Sequence, residues 1–202
     1  MSIRRSRQIW LDPDYQEEKR PFLDMLLGSR KLVGPVDLTG IIIGEQGPVS
    51  DLWSANLYMA DVEGCNLSYS LISGSMSEAR FTNVMFFHAE FKQALMHRTV
   101  FEVCNFENAK FLASANDAQF IKCHMVGCAF KGRGIQEWGG RRTIFQDCDL
   151  RRAAFKGCEF RSSKFINCLF DQSVFDGCDL RGAKFEGSTP RIINCIGFEG
   201  EI

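Results

Sequence analysis

An all-β solenoid, in which the backbone winds into stacked coils with one short side per five residues, is the fold this sequence predicts. Three observations predict it. Large apolar residues recur every five positions, as in INCLFDQSVFDGCDL at 166–180, where Phe170, Phe175 and Leu180 mark the interval. A small residue stands two positions earlier, here Cys168, Ser173 and Cys178. Phenylalanine is over-used, 18 residues against three Tyr and three Trp, which marks a recurring slot for a flat apolar side chain without a polar group.

Neither regular element accounts for a period of five. On an α-helix each step of five rotates the side chain by about 140°, which spreads the Phe residues round the cylinder and leaves no buried stripe. On a straight strand an odd step sends successive Phe residues to opposite faces. The small and large residues of one repeat, two apart, do share a strand face, and both keep facing inward if the chain turns a corner once per repeat. Coils stacked at strand spacing then pair their backbone groups with the coils above and below.

The chain has room for one such domain, with 202 residues of which 45% are hydrophobic. Its first 48 residues precede the clear repeats and suit a cap for the exposed end of a solenoid. Asp12 followed by Pro13 is a helix-start pair, and Pro21 opens a second apolar run, PFLDMLLGSR, with Gly28 as its stop. Residues 36–48 already suit an irregular first coil. A weaker repeat set follows at Leu52, Leu57, Val62, Leu67 and Ile72. The clear register runs from Phe81 to Phe111, resumes one residue short at Phe120 and continues to Phe130. It returns at Phe145 and holds to Phe185. The tail, 189–202, is too short and too interrupted by glycine for a long helix.

Segments AKFEG, CDLRR, AAFKG, CEFRS and CNLSY follow the pattern A(D/N)LXX, and in them the chain resembles the pentapeptide-repeat family over about twenty copies between residues 50 and 188. The resemblance implies a right-handed quadrilateral β-helix with four repeats per coil; the period alone does not distinguish four sides from three. About six coils make a rod on the order of 30 Å long at the strand spacing. The domain reading is therefore a capping segment at 1–48 with a short helix, a β-helix at 49–188 and a tail at 189–202.

Eight of the nine cysteines, Cys195 excepted, take the small inward position. Cys128, Cys148 and Cys168 are twenty apart, so they stack if the intervening segment preserves coil register. A metal or redox ladder is one reading. Packing is the favoured one, because cysteine alternates here with Ala, Ser and Thr and behaves as a small buried hydrophobe. There is no C-x-x-C, and His88, His97 and His124 are scattered, so neither a metal site nor a cofactor is expected.

One stretch breaks the repeat with its own chemistry: KGRGIQEWGGRR at 131–142, with four glycines, four basic residues and Trp138. Arg133, Trp138, Arg141 and Arg142 are the candidate partner-binding residues, since loops on rigid scaffolds carry recognition and a Trp beside arginines makes a contact anchor. The alternative is that Trp138 folds back over the coil edge while the charges are solvated.

No nucleophile with its base, G-x-S-x-G or P-loop is found, and a filled coil offers no pocket, so catalytic residues are not expected. Charge nearly cancels, 24 basic residues against 25 acidic, which gives no electrostatic reason to expect nucleic acid or a membrane as partner. The N-terminus has arginines but no apolar stretch behind them, which predicts a soluble, cytoplasmic chain with free thiols. The expected function is a non-enzymatic protein-interaction scaffold. The resemblance adds an alternative, since some family members protect DNA gyrase from quinolones and toxins by imitating the negative charge of duplex DNA. Here Thr143 to Ser188 holds seven basic and seven acidic residues, and only Leu52 to Glu78 is clearly acidic, so the single-sign surface such imitation needs is missing. An Arg-rich contact to phosphate ranks third.

Overall fold

In the repeat Cys104-Asn105-Phe106-Glu107-Asn108 each residue has a separate task. Cys104 and Phe106 point inward and are fully buried. The Asn105 side chain accepts a hydrogen bond from the Glu107 amide at 2.9 Å, an Asx turn that starts the corner. Asn108 takes the left-handed conformation at φ 58°, and the Ala109 amide closes the turn onto the Phe106 carbonyl at 2.8 Å. Asp37, Asn66, Asp149 and Asp179 accept from the amide two residues on in the same way. The Asp or Asn of the repeat pattern is there to bend the chain.

The computed structural model describes residues 3–44, 56–132 and 139–198. Over them the corners wind the chain into a parallel β-solenoid whose strands form two eight-stranded sheets. One sheet stacks Val62, Phe81, Phe101, Phe120, Phe145, Phe165 and Phe185 in register. The other stacks Ile43, Ile72, Phe91, Phe111, Phe130, Phe155, Phe175 and Ile192. Two ladders of single bridges lie between the sheets, one through Asp37, Asn66, Met85, Asn105, His124, Asp149 and Leu169, the other through Gly139, Glu159, Asp179 and Ile196. Four ladders give the coil the four sides that periodicity left open.

Inside, the aromatic rings stack from coil to coil. Phe101, Phe120, Phe145 and Phe165 form a column with centroids 4.8–4.9 Å apart, and Phe111, Phe130 and Phe155 a second with spacings of 4.4 and 4.6 Å. Near-perpendicular contacts, such as Phe101 against Phe106 at 5.1 Å, lock the columns together. The strand repeat is close to the best stacking distance for benzene rings, which explains why Phe fills a slot that Leu also fits.

Both ends depart from the sequence-derived boundaries. The solenoid starts at Lys31–Val33, which pairs with Asp61–Glu63, rather than at residue 49. At the other end Arg191–Ile193 adds a rung after residue 188. Before the first rung come two helices, α1 (Ile3–Gln8) and α2 (Pro13–Asp24), with Asp12 capping α2 through its side chain. Pro21 does not open a second helix: it lies inside α2, on the exposed side with Glu17, so the carbonyl its missing N–H leaves faces solvent rather than the core. The stop is Arg30 in the left-handed conformation, after Gly28. Trp10, Leu23 and Leu26 are buried in the same core as the first coil, and the Trp10 indole N–H donates to the Thr39 carbonyl at 2.9 Å. Gly40, at φ 77°, lets α1 approach, because a Cβ there would overlap the Ser6 carbonyl.

Candidate interaction surface

With the small and large positions turned inward, the other three residues of each repeat make the surface, and coil register decides which of them meet. Asp117 and Arg142 are both left-handed corner residues on successive coils. The Arg142 guanidinium grips Asp117 through two bonds, Nε to Oδ1 at 2.6 Å and Nη2 to Oδ2 at 2.7 Å, and this holds the Asp117 carboxyl below the usual range. Arg98 on the preceding coil pairs with Glu78. One position away runs a second chain of charges. Arg141 and Arg161 both reach Glu159 at 2.9 Å, Arg161 also reaches Asp179 at 2.7 Å, and Arg181 reaches Asp179 at 2.6 Å. Glu159 and Asp179 are buried, and Asp179 is held well below the ordinary carboxylate range by Arg181 first and Arg161 second.

Of the four sequence-derived candidates, Arg133 and Trp138 lie outside the described residues. Arg141 and Arg142 are not on a projecting loop. They form a coil corner, with the Arg142 amide bonded to the Arg161 carbonyl and the Arg141 carbonyl to the Asp117 amide. The departure from register is also narrower than 131–142: the Gly132 amide bonds to the Lys156 carbonyl and Gly139 bridges Glu159. Between Phe130 and Gly140 the chain spends ten residues where Phe155 to Phe160 needs five.

That extra length corrects the cysteine reading. Cys148 stacks over Cys123, not over Cys128, because the coil between is 25 residues long (Phe120 to Phe145) rather than twenty. The column is Cys104, Cys123, Cys148 and Cys168; a second holds Cys158, Cys178 and Cys195. Each thiol points at a carbonyl of the coil below, as Cys123 does to Phe101 at 3.4 Å and Cys148 to Phe120 at 3.2 Å. Burial pushes the Cys123, Cys128 and Cys158 thiols up, and for Cys148 and Cys168 the largest cause is the neighbouring thiol in the column. No group of His, Cys, Asp and Glu able to hold a metal occurs among the described residues.

Sequence reasoning missed a cluster on another corner. His124 lies 3.5 Å from Asp149 and 3.8 Å from Glu107, and Arg151 binds Asp149 through both oxygens at 2.8 and 2.7 Å. Glu107, His124 and Asp149 come from three successive coils, so only coil length brings them together. Glu107, His124 and Arg151 border an open cavity of about 350 Å³.

A family model described as a pentapeptide repeat region matches residues 113–191, which lie wholly within the four-sided coil. Residues 113–191 of the solenoid are a pentapeptide repeat region. Among solved structures, a trypsin-treated form of QnrB1, a plasmid-mediated fluoroquinolone resistance protein, is 18% identical with a TM-score of 0.51, covering 82% of this chain and 81% of that one. HetL, a pentapeptide repeat protein involved in heterocyst differentiation regulation from the cyanobacterium Nostoc sp. strain PCC 7120, is 16% identical with a TM-score of 0.49, covering 80% of this chain and 67% of that one. No curated protein matches the chain. At 18% identity the likeness to QnrB1 is one of fold: what the two share is the coil. No helix among the described residues is long and apolar enough to cross a membrane.

Proposed function

We propose that this chain is a non-enzymatic protein-interaction scaffold, with Arg133, Trp138, Arg141 and Arg142 on its partner-facing side. The supporting observation is the pre-set charge lattice. Corner side chains from successive coils are fixed against one another, Arg142 to Asp117 and Arg161 between Glu159 and Asp179, over a core of stacked rings. A surface ordered before binding loses little side-chain entropy when a partner docks, and that favours recognition by a rigid rod. Arg141 and Arg142 still present about half of their side chains to solvent, 47% and 61%, which leaves guanidinium faces for an incoming aromatic or acidic group. The test is capture of partners from cell extract by the intact chain and by Trp138→Ala and Arg142→Ala, with circular dichroism confirming the fold. Unchanged capture by both variants removes this assignment.

A second reading, protection of DNA gyrase, draws on the fold shared with a fluoroquinolone resistance protein. The paired, alternating charges of the Arg141 to Arg181 corner speak against duplex imitation, which needs one sign throughout. Relief of quinolone inhibition in a gyrase supercoiling assay by the purified chain would favour this second reading over the first.

A further inference from the structure

The last coil is missing one of its four sides. From Phe165 to Phe175 the chain spends ten residues, passing Leu169 and Phe170 on the way, but on the next level Phe185 to Ile192 takes only seven. The shortcut through Thr189 and Pro190 omits the side that would stack on Leu169–Gln172, so among the described residues the bridge ladder from Asp37 ends at Leu169. On each coil below, two amides of this side donate upward: Phe86 to Asn105 and His88 to Glu107, then Leu150 to Leu169 and Arg152 to Asp171. The corresponding amides of the last level, Phe170 and Gln172, have no acceptor among the described residues. They face an open groove of about 640 Å³ bordered by Leu169, Ser188, Thr189 and Arg191. Leu169, stacked directly on Asp149 in that ladder, leaves an apolar side chain 51% exposed at the lip.

The geometry points to a peptide-docking site: an extended segment of a partner protein, four or five residues long, adds the missing rung by accepting from Phe170 and Gln172. The uncovered side, Leu169–Gln172, sets that length. Addition of a strand to an open edge supplies affinity through the main chain and specificity through alternate side chains. The slots are set by the coils beneath. The central residue is apolar, since its column reads Leu67, Phe86, Phe106, Met125, Leu150 and Phe170, and the residue two before it is small. Arg191, which makes no ion pair among the described residues, favours an acidic side chain in the segment.

This inference rests on the scaffold reading but is tested without the natural partner, so its failure leaves that reading standing on its own capture experiment. The probe is a capped peptide with the sequence of residues 103–109, VCNFENA, carrying Cys104→Ser; in the protein this segment makes the same contacts with Phe86 and His88. Titrated to about 5 mM into isotopically labelled protein, it is expected to shift the Phe170 and Gln172 amides saturably and to slow their exchange with solvent at least about tenfold. N-methylation of the peptide at Asn105, which removes the N–H aimed at the second lone pair of the Cys168 carbonyl, whose first accepts from the Ser188 hydroxyl at 2.6 Å, should weaken binding at least about tenfold. Thr189→Trp, a substitution at an exposed rim residue, should abolish the shifts. The proposal is overturned if those two amides do not respond, if the N-methylated peptide binds equally well, or if Thr189→Trp leaves the response intact. Protection of the same amides that rises with protein concentration and needs no peptide also overturns it, since a second copy of the chain would then fill the groove.

Discussion

Replacing Phe120 by alanine should cost far more than the same change at Phe185, although the two occupy one column. Phe120 is fully buried, stacked on Phe101 at 4.9 Å and on Phe145 at 4.8 Å, with Phe106 and Phe111 edge-on at 5.9 and 6.1 Å. Losing the ring forfeits about 2 kcal/mol of transfer free energy, and a residual cavity of about 100 Å³ adds about 2.4 kcal/mol at the usual slope. The total, about 4–5 kcal/mol, is at the upper end of measured Phe→Ala losses, because rigid backbone coils on both sides prevent collapse. Phe185 sits on the last full rung, is only partly buried, and stacks on one side alone, on Phe165 at 4.8 Å, with Phe198 edge-on at 5.7 Å. Half the transfer term and an open site in place of a cavity leave about 1–2 kcal/mol. Urea unfolding followed by circular dichroism reads both variants against the parent. Losses that agree within about 0.5 kcal/mol would refute the stacked-column account, since that is the usual error of such differences.

Three further outcomes follow from the same geometry. Arg181 and Arg161 depress the Asp179 carboxyl, so the stability it contributes is present above about pH 4 and is lost as the pH falls through its lowered folded value; Asp179→Asn should flatten the acid limb of the urea midpoint, and an unchanged limb refutes the assignment. Eight of the nine thiols are buried and Cys195 is partly exposed with its thiol pushed up to about 11, so a disulfide reagent should titrate one thiol slowly in native protein and nine after denaturation; several fast thiols would contradict the packing role. Gly40→Ala should destabilise by about 1–3 kcal/mol, because the position has φ 77° and α1 lies against it; a neutral result by thermal melting would place α1 elsewhere.

The interior was the legible part. Two inward slots in five residues, one small and one large, read directly as a coil because no regular element has that period, and Phe106 or Phe165 could be assigned inward from spacing alone. The helix start at Asp12 and Pro13 was equally local, since an N-cap acts within three residues. Pro21 misled because exposure on one side of α2, which excuses a missing hydrogen bond, is set by packing. The surface was harder to read. Arg141 and Arg142 look like a basic loop until Glu159 and Asp117 are brought alongside them from other coils.

What the sequence by itself determined is the repeating unit: which residues face in, which bend the chain and why phenylalanine is preferred. Only the tertiary structure decided which units lie over one another. Stacking depends on the summed length of a whole coil, so five extra residues beyond Phe130 move Cys123 under Cys148, and three too few after Phe185 leave Phe170 and Gln172 uncovered. Corner chemistry is local and is written into each pentapeptide; register accumulates along the chain, and no short window contains it.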